Sequence, residues 1–298
     1  MCGIGGIIYK NPVHSKKTGE VILQMLAGLC RRGPDSAGVA LLQPKQEGQL
    51  YIDISYEKAG NGEKVIHVLK KYGKILSATD HGKYVRAKME MIGDRTSMIN
   101  EINGLEKDVF VASCGQSIEV LKFLGEADQL EKEFNISDYN GRVAVGHTRM
   151  ATESKVDISH SQPLCTNFRQ DLTIIHNGHI TNYIKMRASY ERKGYSFITG
   201  NDSEIIVVYL ADKMNNGFTL EEAMKASIQD LDGSFSYVAL TPDAVGLAKE
   251  PFGMKPMVIS ETDDCVAFAS ESFALASGFG NDISMKEPEA GEVIVWNL

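Results

Sequence analysis

Apolar positions in the first forty residues fall into an order of strand, helix, turn and strand. Ile4 to Tyr9 is an apolar run, and Val21 to Leu29 repeats apolar residues at helical spacing. Arg31-Arg32-Gly33-Pro34-Asp35-Ser36 then supplies a turn before the apolar Ala37 to Leu42. From about Gln43 to Asn140 the pattern changes. Short β-like runs (Leu50 to Ile54, Val109 to Ser113) mix with helical ones (Glu63 to Tyr72, Ile118 to Phe134), and no chemical motif is legible there. From Val143 onward strands dominate: Val143 to His147, Leu172 to His176, Phe235 to Leu240, Val245 to Ala248, Met257 to Ile259, Val266 to Ser270 and Val293 to Trp296. Helical patterns interrupt them at Thr181 to Lys193, Ser203 to Met214 and Leu220 to Asp230. Many strands returning through short turns, with a few helices grouped between them, predict α+β layering rather than a parallel βαβ sheet. With no internal repeat and no low-complexity linker, the expectation is a single domain over residues 1–298 with an insertion-like region at about 43–140.

Composition narrows the classes. The chain has 298 residues, enough to bury a substantial core, and its 43% hydrophobic and 23% charged content is that of a globular protein rather than a disordered one. A net charge of −8 with no basic cluster argues against nucleic acid as a partner. No basic segment precedes the first apolar run and no stretch is long and apolar enough to span a bilayer, so neither secretion nor a membrane is expected. The five cysteines are scattered, odd in number and without C-x-x-C spacing, which predicts neither a zinc site nor a disulfide framework and places the chain in a reducing cytoplasm.

Candidate chemistry begins at Cys2. A cysteine after the initiator methionine becomes terminal when Met1 is trimmed, and one residue then carries both a thiol and an α-amine. An α-amine with a reference pKa of roughly 7.7–8.0 is partly unprotonated near neutral pH and can take the thiol proton. Gly3, Gly5 and Gly6 leave little bulk beside it. Further blocks follow in order: Arg32-Gly33-Pro34-Asp35-Ser36-Ala37-Gly38, Gly146-His147-Thr148-Arg149, His176-Asn177-Gly178, Asn201-Asp202-Ser203-Glu204, Asp232-Gly233-Ser234-Phe235, Pro251-Phe252-Gly253-Met254-Lys255-Pro256 and Phe268-Ala269-Ser270-Glu271. With the Met1-Cys2-Gly3-Ile4 start, they closely resemble the glutaminase domain of class II glutamine amidotransferases. The resemblance spans the chain apart from Gln43 to Asn140.

That resemblance implies a four-layer αββα N-terminal-nucleophile hydrolase sandwich with an elaborated middle region. It further implies that Cys2 attacks the side-chain amide of L-glutamine and releases glutamate and ammonia through a thioester. Arg149 matches the family's carboxylate-binding arginine, whose planar fork suits a bidentate pair. The Asn177 amide and the Gly178 N–H match the oxyanion donors, although from the residues alone Asn-Gly at the end of an apolar run is also a hairpin signal. Asp202 matches the aspartate that meets the substrate ammonium, although its place before an apolar helical pattern equally suits an N-cap. Arg32 and Gly33 match a supporting loop near the nucleophile. His147, His176 and His179 offer no helical ligand pair, so no metal is expected, and no cofactor is expected either.

The chain stops soon after the last block and has no Ser-Gly-Gly-x-Asp-Ser pyrophosphatase loop. The expected partner is therefore a separate synthase chain that accepts the ammonia. Glutaminase subunits of this kind resemble those of split glutamate synthases and N-methylglutamate synthase complexes. The alternatives are a freestanding amidohydrolase acting on glutamine or another γ-glutamyl amide, and a non-catalytic regulatory relative.

Overall fold

The computed structural model describes residues 2–151 and 155–298. Met1, on whose removal the terminal-cysteine expectation rests, lies outside them. In chain order the elements are β1 (Gly3–Tyr9), α1 (Thr18–Gly28), β2 (Ser36–Leu42), β3 (Gln49–Ser55), α2 (Asn61–Tyr72), β4 (Gly73–Asp80), β5 (Tyr84–Met91) and α3 (Arg95–Asn103). Then come β6 (Phe110–Gly115), β7 (Ile118–Leu124), α4 (Ala127–Phe134), β8 (Val143–Arg149), β9 (Leu164–Thr166), β10 (Arg169–Ile180), α5 (Tyr183–Arg192) and α6 (Glu204–Asn215). The chain finishes with α7 (Leu220–Asp230), β11 (Gly233–Leu240), β12 (Ala244–Lys249), β13 (Val258–Glu261), β14 (Cys265–Ala269), α8 (Ser272–Phe279) and β15 (Val293–Asn297).

Two antiparallel sheets form the centre, in the orders β13-β14-β1-β8-β2-β7 and β15-β12-β11-β10-β9. Their facing surfaces bury Ile4, Ile8, Val143, Val145, Ile175, Val238 and Phe268. Alternation along each strand sends the other side chains outward. On the first sheet these are Ile7, Val39 and Leu121, which pack with Met25, Leu26 and Leu275 from the helices α1 and α8. On the second they are Ile174 and Tyr237, which meet α6 and α7 through Val207, Leu210 and Met224. The result is the four-layer αββα sandwich of N-terminal-nucleophile hydrolases.

Residues 49–115 build a third sheet, β4-β5-β3-β6, whose own core joins Ile52, Ile54, Val85 and Met89 to Val65 and Leu69 of α2 and Ile99 of α3. The segment Ile118 to Phe134, expected to be helical, is instead the strand β7 followed by the helix α4. Pairing of β7 with β2 along its whole length, from Ser36 opposite Leu124 to Leu42 opposite Ile118, outweighs its helical spacing. Gly125, at φ +123°, then breaks the chain before α4.

Candidate functional site

β1 lies between β14 and β8, with Gly3 opposite Thr148 and Gly5 opposite Ala269. The start of β1 therefore meets the end of β8, and Cys2 comes to rest beside Arg149 and Met150. The Met150 N–H points at Cys2 Sγ from 3.4 Å. Burial pushes the Cys2 thiol above its ordinary pKa, while the Met150 N–H and the charges of Arg149 and Arg32 draw it back. The net shift is upward, so a base is needed to make the thiolate near neutral pH.

Arg32 reaches the same point from the turn after α1. Its Nε donates to the Cys2 carbonyl at 2.9 Å and its Nη1 pairs with Glu271. Gly33 lies flat against β8, where a Cβ would collide with the backbone of Thr148 and Arg149.

Asn177 and Gly178 do not form a hairpin turn. β10 continues through them to Ile180, paired to β11 with Asn177 opposite Ser236 and Gly178 opposite Phe235. The ladder overrides the local Asn-Gly signal. Gly178 keeps φ at +136°, and a Cβ there would strike the Ser234 carbonyl. Asn177 Nδ2 donates to the Cys2 carbonyl at 3.1 Å and to Ser270 Oγ at 3.0 Å. Behind it, His147 Nε2 stands 3.1 Å from Asn177 Oδ1.

Asp202 is not a helix cap. Ser203 holds the N-cap position of α6 without a side-chain cap bond, and Asp202 Oδ2 instead accepts the Ile180 N–H at 2.7 Å and lies 3.3 Å from His179 Nδ1. The carboxylate is thus tied to the end of β10. Arg149, the last residue of β8, donates from Nη1 to the Lys155 carbonyl at 3.0 Å.

Cys2, Arg149, Gly178 and Asp202 share one cavity of about 650 Å³, whose walls also include His176 and Tyr183. Asn177 joins it through its bond to the Cys2 carbonyl. The structure thus gathers Cys2, Arg32, Gly33, Arg149, Asn177, Gly178 and Asp202 into one neighbourhood. Reading the sequence missed the Met150 backbone N–H, which has no side-chain signature. It also gave no role to Ser270 and Glu271, although both stand in a matched block. Among the described residues no group of three or more His, Cys, Asp or Glu side chains could hold a metal, and no helix is long and apolar enough to cross a membrane.

A glutamine amidotransferase domain family matches residues 147–277. Over 100% of both chains, the protein is 37% identical to a protein of Methanothermobacter thermautotrophicus that bears a provisional glutamine amidotransferase name. It is 31% identical to the glutamine amidotransferase-like protein GlxB of Rhizobium meliloti, covering 100% of this chain and 98% of that one. Among solved structures, the glutamine phosphoribosylpyrophosphate amidotransferase of B. subtilis shares the fold with a TM-score of 0.65 at 19% identity, covering 99% of this chain and 47% of that one. The fold is that of the N-terminal-nucleophile hydrolases. The chain belongs to the class II glutamine amidotransferases.

Proposed function

We propose that this chain is a glutaminase subunit that hydrolyses the side-chain amide of L-glutamine and hands the ammonia to a separate, glutamate-synthase-like partner. The observation that carries the reading is the meeting of a thiol, a guanidinium and a carboxylate in one cavity, with an amide N–H pair at the thiol-bearing residue. Glutamine presents complementary groups: an α-carboxylate for Arg149, an α-ammonium for Asp202 and a carboxamide for Cys2. In this reading the α-amine freed by loss of Met1 takes the thiol proton. The thiolate adds to the carboxamide carbon, and the oxygen that becomes negative is received by the Asn177 amide and the Gly178 N–H. Collapse expels ammonia, which carries away the proton held by the amine, and leaves a thioester. Water then cleaves the thioester to glutamate.

Arg32 and Gly33 support the site rather than react: one holds the Cys2 carbonyl, the other lets the turn lie against β8. Residues 1–298 are read as one amidotransferase domain, with the third sheet as its embellishment. A partner chain is favoured because the two relatives matched over nearly their whole length are of about this chain's length, whereas the B. subtilis chain is about twice its span.

The test is glutamine turnover by the chain prepared with Cys2 as its free N-terminus. Cys2→Ala should remove turnover while leaving the melting temperature close to wild type, and adding a co-purified synthase with its acceptor should raise it. Turnover by folded Cys2→Ala would end the mechanism. Full, unregulated activity with no partner recovered from cells would favour a freestanding amidohydrolase.

A further inference from the structure

We infer that His147 is a positioning residue whose Nε2–H sets the direction in which the Asn177 amide points. The inference rests on the oxyanion role proposed for Asn177.

His147 is fully buried on β8, and its Nε2 lies 3.1 Å from Asn177 Oδ1 and 3.1 Å from the His176 carbonyl oxygen. Both neighbours are acceptors, so the ring proton sits on Nε2. Nδ1 is buried with no hydrogen-bond partner among the described residues, which suits the unprotonated nitrogen. Burial also lowers the His147 pKa to about 3, so the ring is neutral near neutral pH.

The far side of Asn177 agrees with this assignment. Nδ2 donates to the Cys2 carbonyl and to Ser270 Oγ, and Ser270 Oγ accepts the Ile4 N–H at 2.6 Å. Turning the amide over would set Asn177 Oδ1 against the Cys2 carbonyl oxygen and Nδ2 against the His147 N–H. Both contacts would then repel. One proton on one buried ring therefore selects the amide orientation that faces donors toward the nucleophilic residue. An oxyanion donor works by being aimed before charge develops, so losing the aim should cost part of what losing the donor costs.

The experiment uses the chain with free Cys2 and compares His147→Leu, which removes the donor, with His147→Gln, which can keep one. His147→Leu should lower kcat about tenfold or more, toward the roughly 10²–10³-fold loss typical of a missing oxyanion donor, with KM changed by less than about twofold. A γ-aldehyde analogue of glutamine, which forms an oxyanion when the thiol adds to it, should lose affinity in the same ratio, whereas glutamate should not. His147→Gln should recover much of the loss. On an Asn177→Ala background, His147→Leu should cost little further.

Unchanged kcat in a folded His147→Leu protein, or losses that simply multiply with those of Asn177→Ala, would overturn the inference. If Asn177→Ala itself leaves kcat intact, it is the oxyanion reading that has failed. A second measurement needs no mutation: nitrogen NMR of the wild-type imidazole should show Nε2 protonated and Nδ1 bare, without titration between about pH 5 and 9. An Nδ1–H tautomer would refute the assignment even if His147→Leu does not fold.

Discussion

At the scale of single residues, the site depends on backbone positions as much as on reactive groups. Gly178 is the sharpest case, because its φ of +136° and the Ser234 carbonyl beside it each exclude a side chain. Gly178→Ala should destabilise the protein by about 1–3 kcal/mol and lower kcat more than KM rises, since the displaced N–H is a proposed oxyanion donor. Thermal melting and steady-state kinetics on the same preparation check this, and wild-type values for both would remove Gly178 from the site. The sequence made Gly178 a candidate through its block, yet could not show that the residue lies inside a strand. An Asn-Gly pair after apolar residues has the local signature of a turn. Only the partner strand β11, more than fifty residues later, keeps it extended.

At the scale of elements, one wall of the cavity is held by a carboxylate whose part is architectural. Glu204, at the first position of α6, accepts the backbone N–H of Ile198 at 2.7 Å and of Thr199 at 2.8 Å, and also the Thr199 hydroxyl at 2.8 Å. It thereby ties the segment Ile198 to Ser203, which lines the cavity and carries Asp202, to the helix that follows. Glu204→Ala leaves buried donors unpaired and should cost about 1–3 kcal/mol of stability. It should also raise KM for glutamine severalfold with a smaller effect on kcat, because the proposed ammonium contact would lose its support before the chemical step. A kcat loss with KM unchanged would assign Glu204 a different part. The sequence placed α6 correctly but, beside the substrate role that the resemblance implies, left Asp202 open as its cap. Local rules see a short acidic residue before a helix and cannot see the Ile180 N–H that claims the carboxylate from across the site. Most strands of the two central sheets were legible as short apolar runs because both faces of each sheet are buried, the exceptions being β7, which has helical spacing, and the three-residue β9. β4 was not, since nearly all of its residues are exposed.

At the scale of the whole molecule, the third sheet carries its own apolar core, and the face it turns toward the central sandwich mixes apolar residues such as Tyr84 and Ala112 with buried polar ones. Ile52 and Ile54 point to α2 and α3, so alternation sends Asp53 to the opposite side. There it is fully buried, accepts the Ser113 hydroxyl at 2.7 Å, and stands near Glu119 of β7, which pairs with Arg86 of β5 at 2.7 Å. Burial first, and the Glu119 charge second, raise the Asp53 pKa well above the carboxylate range, with Ser113 and Arg86 opposing them. The sign of the consequence follows from proton counting. Above the ordinary carboxylate pKa the unfolded chain has released this proton while the folded chain still holds it. The contribution of Asp53 to stability is therefore fully present below that pKa and is lost as pH rises toward the folded value. Asp53→Asn keeps an acceptor for Ser113 and cannot ionise. It should thus be more stable than wild type by roughly 1–3 kcal/mol at alkaline pH, with a flatter dependence of melting temperature on pH and little difference at acid pH. Because Asp53 lies on the third sheet and not in the cavity, glutamine turnover at the pH of best stability should be nearly unchanged. Parallel pH profiles for the two proteins would show that Asp53 is ionised in the fold and that Arg86 carries both carboxylates.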